Sequence, residues 1–160
     1  MEGLTLASTK VCDLRPVAGL TRLQWLGLFR TPVSDIRPVA GLSNLMELHL
    51  THSSVRDIGA VAGLSGLRFL RLSNTGVEDF GPVADLVNLE WLEVAHTPVR
   101  TLAPLAALTG LVKLDLSYTS ATDLSPLAGL TGLRWLALSH DMDVDLGPLS
   151  GLGHLQVYRV

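Results

Sequence analysis

Three histidines, His52, His96 and His140, return at a constant interval of 44 residues, and three aspartates alternate in "HDMDVDLG", residues 140–147. Both patterns raise the question of a metal. Zinc needs its ligands within about 2 Å of one point. The aspartates match the opening of a calcium loop, but such a loop has glycine directly after the third acid and a glutamate at its end. Here Leu146 intervenes, and Gly147 is followed by Pro148. His49 lies near His52, with no acid or cysteine to complete a set. The single cysteine, Cys12, can form no internal disulfide, and the chain has no glycine-flanked nucleophilic serine, phosphate-binding glycine loop or His-Glu-x-x-His. The sequence therefore predicts no metal, no cofactor and no catalytic set.

Tryptophan is the other residue type whose placement is not random. All three occupy the same place of one phrase: "LQWLGLFR" at 23–30, "LEWLEVAH" at 89–96 and "LRWLALSH" at 133–140. An exposed tryptophan is a frequent carrier of interface energy. It is also a good strand residue that shields a sheet from water. Which role applies depends on the elements that hold it.

Those elements repeat. Leu23, Leu45, Leu67, Leu89, Leu111, Leu133 and Leu155 are each 22 residues apart, and Met1 falls on the same position. One domain, 1–160, thus contains seven units starting at 1, 23, 45, 67, 89, 111 and 133, plus a partial unit at 155–160. With Leu23 as position 1, positions 4 and 6 are apolar, as in Leu26 and Leu28, Leu48 and Leu50, Leu92 and Val94. That alternation predicts a short strand. Position 13 is aspartate in every unit but one, where Thr101 stands, and position 16 is proline except for Ala60. An aspartate accepts backbone N–H groups at a helix start, and proline is tolerated in a first turn. One or two helical or 3₁₀ turns follow, with a small residue expected at position 19. No unit can bury its own leucines, so parallel stacking of neighbours must cover them.

"LEWLEVAHTPVRTLAPLAALTG" and "LVKLDLSYTSATDLSPLAGLTG" resemble leucine-rich repeats of the 22-residue class typified by bacterial internalins. The resemblance spans essentially the whole chain. It implies an α/β solenoid: a right-handed leucine-rich-repeat superhelix with a parallel β-sheet on its concave face and short helical or 3₁₀ turns on the convex side. The family's asparagine at position 9 is replaced by Thr9, Thr31, Ser53, Thr75, Thr97, Thr119 and Asp141. A hydroxyl has a single donor, so a ladder between units with fewer bonds per rung is expected.

If positions 4 and 6 point inward, positions 3, 5 and 7 face the open sheet and position 8 its rim. Position 3 then aligns Trp25, Phe69, Trp91, Lys113 and Trp135, with Glu47 among them. Position 5 aligns His49, Arg71, Glu93, Asp115 and Arg159. Phe29 and the rim residues Arg30, His52, His96, Tyr118 and His140 border them. Phe69 and Trp91 are expected to touch, Lys113 to sit between Trp91 and Trp135, and Arg71 to pair with Glu93. Phe80 and Tyr158 fall on core positions. The rim histidines of alternate units stand roughly 10 Å apart, too far to share one zinc. Asp143 falls on a core position, where an unpaired carboxylate is costly; a bulge turning Val144 inward, or a frayed last corner, is expected.

The function this suggests is non-enzymatic binding of a protein or peptide on the concave face. A sensor or substrate-recognition segment of a larger signalling protein or enzyme is the alternative. Net charge is -3 and both signs are interspersed, which is unlike the dominant positive field of a nucleic-acid binder. No apolar run reaches transmembrane length, and the start, "MEGLTLASTK", has no signal-peptide pattern. A cytoplasmic chain without nucleic-acid or membrane partners is expected. Because solenoids need capped ends, either flanking domains or caps beyond the termini, or frayed terminal units, are expected.

Overall fold

The computed structural model describes residues 2–160. Eight strands form one parallel sheet in chain order: β1 (Gly3–Thr5), β2 (Trp25–Gly27), β3 (Glu47–His49), β4 (Phe69–Arg71), β5 (Trp91–Glu93), β6 (Lys113–Asp115), β7 (Trp135–Leu138) and β8 (Gln156–Arg159). From β1 to β7 each residue pairs with the one 22 further on, as in Leu26↔Leu48 and Leu92↔Leu114. A 3₁₀ turn follows each of β1 to β7, from Arg15–Val17 to Gly147–Leu149. The chain is a leucine-rich-repeat solenoid. No helix among the described residues is long and apolar enough to cross a membrane.

The apolar positions form continuous buried columns. Leu26, Leu48, Leu70, Leu92, Leu114 and Leu136 have no exposed surface, and Phe80, the aromatic in the column of Ile36, Ile58, Leu102 and Leu124, is 2% exposed. The strands are only three or four residues long because positions 4 and 6 alone must reach the core before the chain turns the corner. At the corner, the aspartate of position 13 accepts the N–H that opens the 3₁₀ turn. These bonds run from Arg15 to Asp13, Arg37 to Asp35, Gly59 to Asp57, Gly81 to Asp79, Ser125 to Asp123 and Gly147 to Asp145, at 2.7–3.0 Å. The geometry is an Asx turn one residue ahead of the helix cap. Thr101 does the same through its hydroxyl at 3.3 Å.

Two expectations about the corners are corrected. The position-9 hydroxyls form no ladder between units. Thr31, Thr75, Thr97 and Thr119 donate at 2.6–2.7 Å to the carbonyl three residues earlier in their own unit. A hydroxyl has one hydrogen and a short reach, so the nearest carbonyl takes it. At position 22 side chains do link units: Asn44 Nδ2 donates to the Thr21 carbonyl at 2.7 Å and Asn88 Nδ2 to that of Ser65 at 2.9 Å.

Position 19 does not need its small residue, whereas two glycines of position 22, Gly110 and Gly132, are confined by backbone. A methyl group on Gly132 would fall 2.7 Å from the Thr109 carbonyl oxygen, and one on Gly110 2.9 Å from that of Val87. Gly19, Gly63, Gly129 and Gly151, all at position 19, face open space. Gly132→Ala is therefore expected to destabilise by about 1–3 kcal/mol through overpacking against backbone. Gly63→Ala, with no clash and no positive φ, is expected to be neutral or stabilising by up to about 1 kcal/mol. Urea denaturation of the two variants checks the contrast; equal effects would refute it.

The period breaks at β8. Trp135 pairs with Gln156, Leu136 with Val157, Ala137 with Tyr158 and Leu138 with Arg159, one residue short of the repeat. Tyr158, expected in the core, stands on the open face, its ring centroid 5.6 Å from that of Trp135 and its hydroxyl bonded to Gln156 at 2.6 Å. Arg159, expected on the open face, turns the other way and donates through Nη1 to the carbonyls of Ser139 and Met142. A one-residue slip exchanges the two faces of a strand. Here the slip leaves the tyrosine hydroxyl bonded to Gln156 and the guanidinium bonded to two carbonyls. In the adjacent corner Asp143 is exposed while Met142 and Val144 pack against the core, which is the inward turn of Val144 expected from the sequence.

Candidate binding face

The outward residues of β3 to β6 are half-buried, as are Trp25 and Trp135, and all alternate with fully buried leucines; the small outward residues Gly27 and Ala137 are buried. Each sits on a strand whose neighbours fix its height and spacing, so the face is a rigid array rather than a set of loops. Phe69 and Trp91, paired across β4 and β5, meet edge to face with centroids 6.3 Å apart. Lys113 Nζ lies 4.1 Å from the centroid of Trp91 and 5.3 Å from that of Trp135, so the lysine is held between two indoles. On the other side of Trp91, Arg71 places its guanidinium carbon 4.9 Å from the ring. The expected Phe69–Trp91 contact and the lysine between tryptophans are both present.

Arg71 carries more than its expected pair. Its Nε approaches Glu93 at 3.6 Å, and its Nη1 donates to Glu47. Glu47 was legible in the sequence as a diagonal neighbour, two residues off the pairing register and within reach of a long side chain. Burial pushes the Glu93 carboxyl above the usual range; Arg71 pulls it down and the facing Asp115 pushes it up again. Asp115 Oδ1 accepts both the N–H and the hydroxyl of Ser117, at 2.9 and 2.5 Å. The Trp91 Nε1 is buried without a hydrogen bond of ordinary geometry, and the nearby Glu93 carboxylate gains only a weak pull from it.

Trp25 is different. Its indole lies flat over β2, where a methyl group on Gly27 would fall 2.9 Å from Cζ2, and one on Gly3 3.3 Å from Cε3. The ring covers two glycines that offer no side chain of their own, a known device for shielding a sheet.

At the edge of the face two stacked pairs form. Phe29 stacks on His49 at 4.9 Å, and His96 on Tyr118 at 4.3 Å with an 8° interplanar angle. Burial, followed by Arg71, lowers the pKa of His49. Arg30, His52, His96 and Tyr118 all have φ between 53° and 58°, a left-handed conformation that non-glycine residues rarely adopt. It lets the Arg30, His52 and His96 N–H groups donate to the next unit's position-7 carbonyl at 2.9–3.0 Å. That of Tyr118 donates to the Ser139 hydroxyl. His140 is exposed and follows the altered last corner, donating its N–H to the Val160 carbonyl. Among the described residues, no group of three or more His, Cys, Asp or Glu side chains is arranged to hold a metal.

No protein-family model and no curated protein matches the chain. Solved structures do. Internalin C2 from Listeria monocytogenes matches 100% of this chain and 71% of its own length, with 33% identity and a TM-score of 0.95. The chain belongs to the internalin family of leucine-rich-repeat proteins. A second internalin from the same organism, inlF, matches 98% of this chain at 26% identity with a TM-score of 0.73, and this chain spans 59% of it. Against an internalin backbone, the threonines at position 9 keep their hydroxyl bonds within their own units. Sequence reasoning missed Tyr158 as part of the aromatic face; only the slipped register of β8 puts it there.

Proposed function

We propose that this internalin-type chain is a non-enzymatic module that binds a protein or peptide on the concave, aromatic-rich face of its sheet. The observation that carries the reading is the strip Trp91–Lys113–Trp135–Tyr158, four large side chains in mutual contact on four successive strands. Tryptophan, tyrosine and arginine are the residues on which interface energy concentrates. Phe69, Arg71, Glu93 and Asp115 extend this footprint across the sheet. His49 joins them on the face, and Phe29, Arg30, His52, His96, Tyr118 and His140 form its rim. The rim keeps large side chains at left-handed positions where glycine carries no steric cost, which supports a role for those side chains. Carboxylates and cations alternate here, which suits a protein surface rather than nucleic acid or a membrane. Trp25, folded over Gly27, is assigned to shielding the sheet.

The test is a peptide-display selection against the wild-type chain, followed by binding of the recovered peptides to a Trp91→Ser, Trp135→Ser double variant that retains its circular dichroism spectrum. Loss of binding supports the face. Recovered peptides that bind the variant as well as the wild type refute it.

A further inference from the structure

Glu93 and Asp115 stand directly opposite each other across β5 and β6. Like charges at such a pair repel and destabilise the sheet. Neither has a cation to itself. Arg71 serves Glu93 at 3.6 Å while also bonding Glu47, and Lys113 is engaged with the faces of two indoles. Asp115 receives hydrogen bonds only from Ser117, both on one oxygen. On its far side the paired residue is Ala137, whose methyl group cannot reach the carboxylate. With Arg159 turned off the face, the outward sheet positions carry Glu47, Glu93 and Asp115 against Arg71 and Lys113, an excess of negative charge at the centre. Beside these carboxylates stand the apolar rings of Trp135 and Tyr158.

Resting on the binding reading above, we propose that the ligand is a protein segment presenting a lysine or arginine side chain next to an apolar one. The cation settles over Glu93 and Asp115, and the apolar group lies against Trp135 and Tyr158. The cation relieves the repulsion that the free sheet carries. The desolvated position of Glu93, whose carboxyl burial already disfavours as an anion, makes a partner charge there count for more than one at the rim.

The experiment titrates the full chain with two capped synthetic peptides, lysine-phenylalanine-lysine and glutamate-phenylalanine-glutamate, and reads tryptophan fluorescence at low salt and at 1 M salt. The basic peptide is expected to give a saturable change that weakens at least tenfold in high salt, with no saturation by the acidic one. A Glu93→Gln, Asp115→Asn variant is expected to bind the basic peptide at least tenfold more weakly while its melting temperature stays the same or rises, since the repulsion is gone. Tighter binding of the acidic peptide, saturation by neither, or indifference of the basic peptide to the double substitution each overturns the proposal. If Trp91→Ser, Trp135→Ser abolishes binding of selected peptides but Glu93→Gln, Asp115→Asn leaves it intact, the face stands as the binding site and the cation assignment falls.

Discussion

Phe80→Ala is expected to lower the unfolding free energy by about 3–5 kcal/mol, the range for deleting a fully buried aromatic. Phe80 is 2% exposed and occupies a position held elsewhere by Leu14, Ile36, Ile58, Leu102, Leu124 and Leu146. The column is continuous above and below it, and both neighbouring units are fixed by strand pairing, so the cavity has little room to collapse. In a solenoid each unit is stabilised only by its neighbours. A cavity in the fourth unit therefore weakens two interfaces together and should split the molecule into halves that unfold separately. Urea denaturation followed by circular dichroism checks this; a loss under about 1 kcal/mol would show that the column closes over the missing ring.

Replacing Trp91 and Trp135 by serine should act on the ligand rather than on the fold. Both rings are half-buried on the outward side and contribute nothing to the leucine columns. Their loss removes the two cation–π contacts of Lys113, worth about 0.5–1 kcal/mol each at a solvated site. At the centre of an interface each truncation is expected to cost about 2 kcal/mol or more, which together means a Kd raised by several hundredfold or more. Trp25→Ser should show the reverse. It uncovers Gly3 and Gly27, lowering stability while leaving affinity within about threefold of wild type. Isothermal titration with a selected peptide, alongside thermal melts of all three variants, separates the two behaviours. Equal losses of affinity on both sides would erase the distinction between the shielding and the binding tryptophans.

Much of this architecture was legible because the repeat states each physical requirement seven times. The apolar residues at positions 1, 4 and 6, nearly all leucine, have one explanation that satisfies every full unit, and the outward rows follow from it by alternation. The Phe69–Trp91 contact and the lysine between tryptophans were therefore readable as neighbours in a row. What could not be read is what the period does not govern. The register of β8 is one residue short of the repeat, and two residues exchange faces as a result. The flat placement of the Trp25 ring depends on Gly27 two residues on, a local vacancy that row-reading treats as an ordinary outward position. The position-9 hydroxyls bonded inward because the choice between two carbonyls is one of reach, which spacing alone does not give. The demand for glycine at 110 and 132 comes from the backbone of the preceding unit, and appears only once the units are stacked.

The most direct test of the binding face needs no substitution. The three indole N–H resonances of an ¹⁵N-labelled chain report Trp25, Trp91 and Trp135 separately, and a selected peptide can be titrated against all three at once. The signals of Trp91 and Trp135 are expected to shift together and saturate at one Kd while that of Trp25 stays in place. Saturable binding that moves neither Trp91 nor Trp135 would place the ligand on another surface and contradict the proposal.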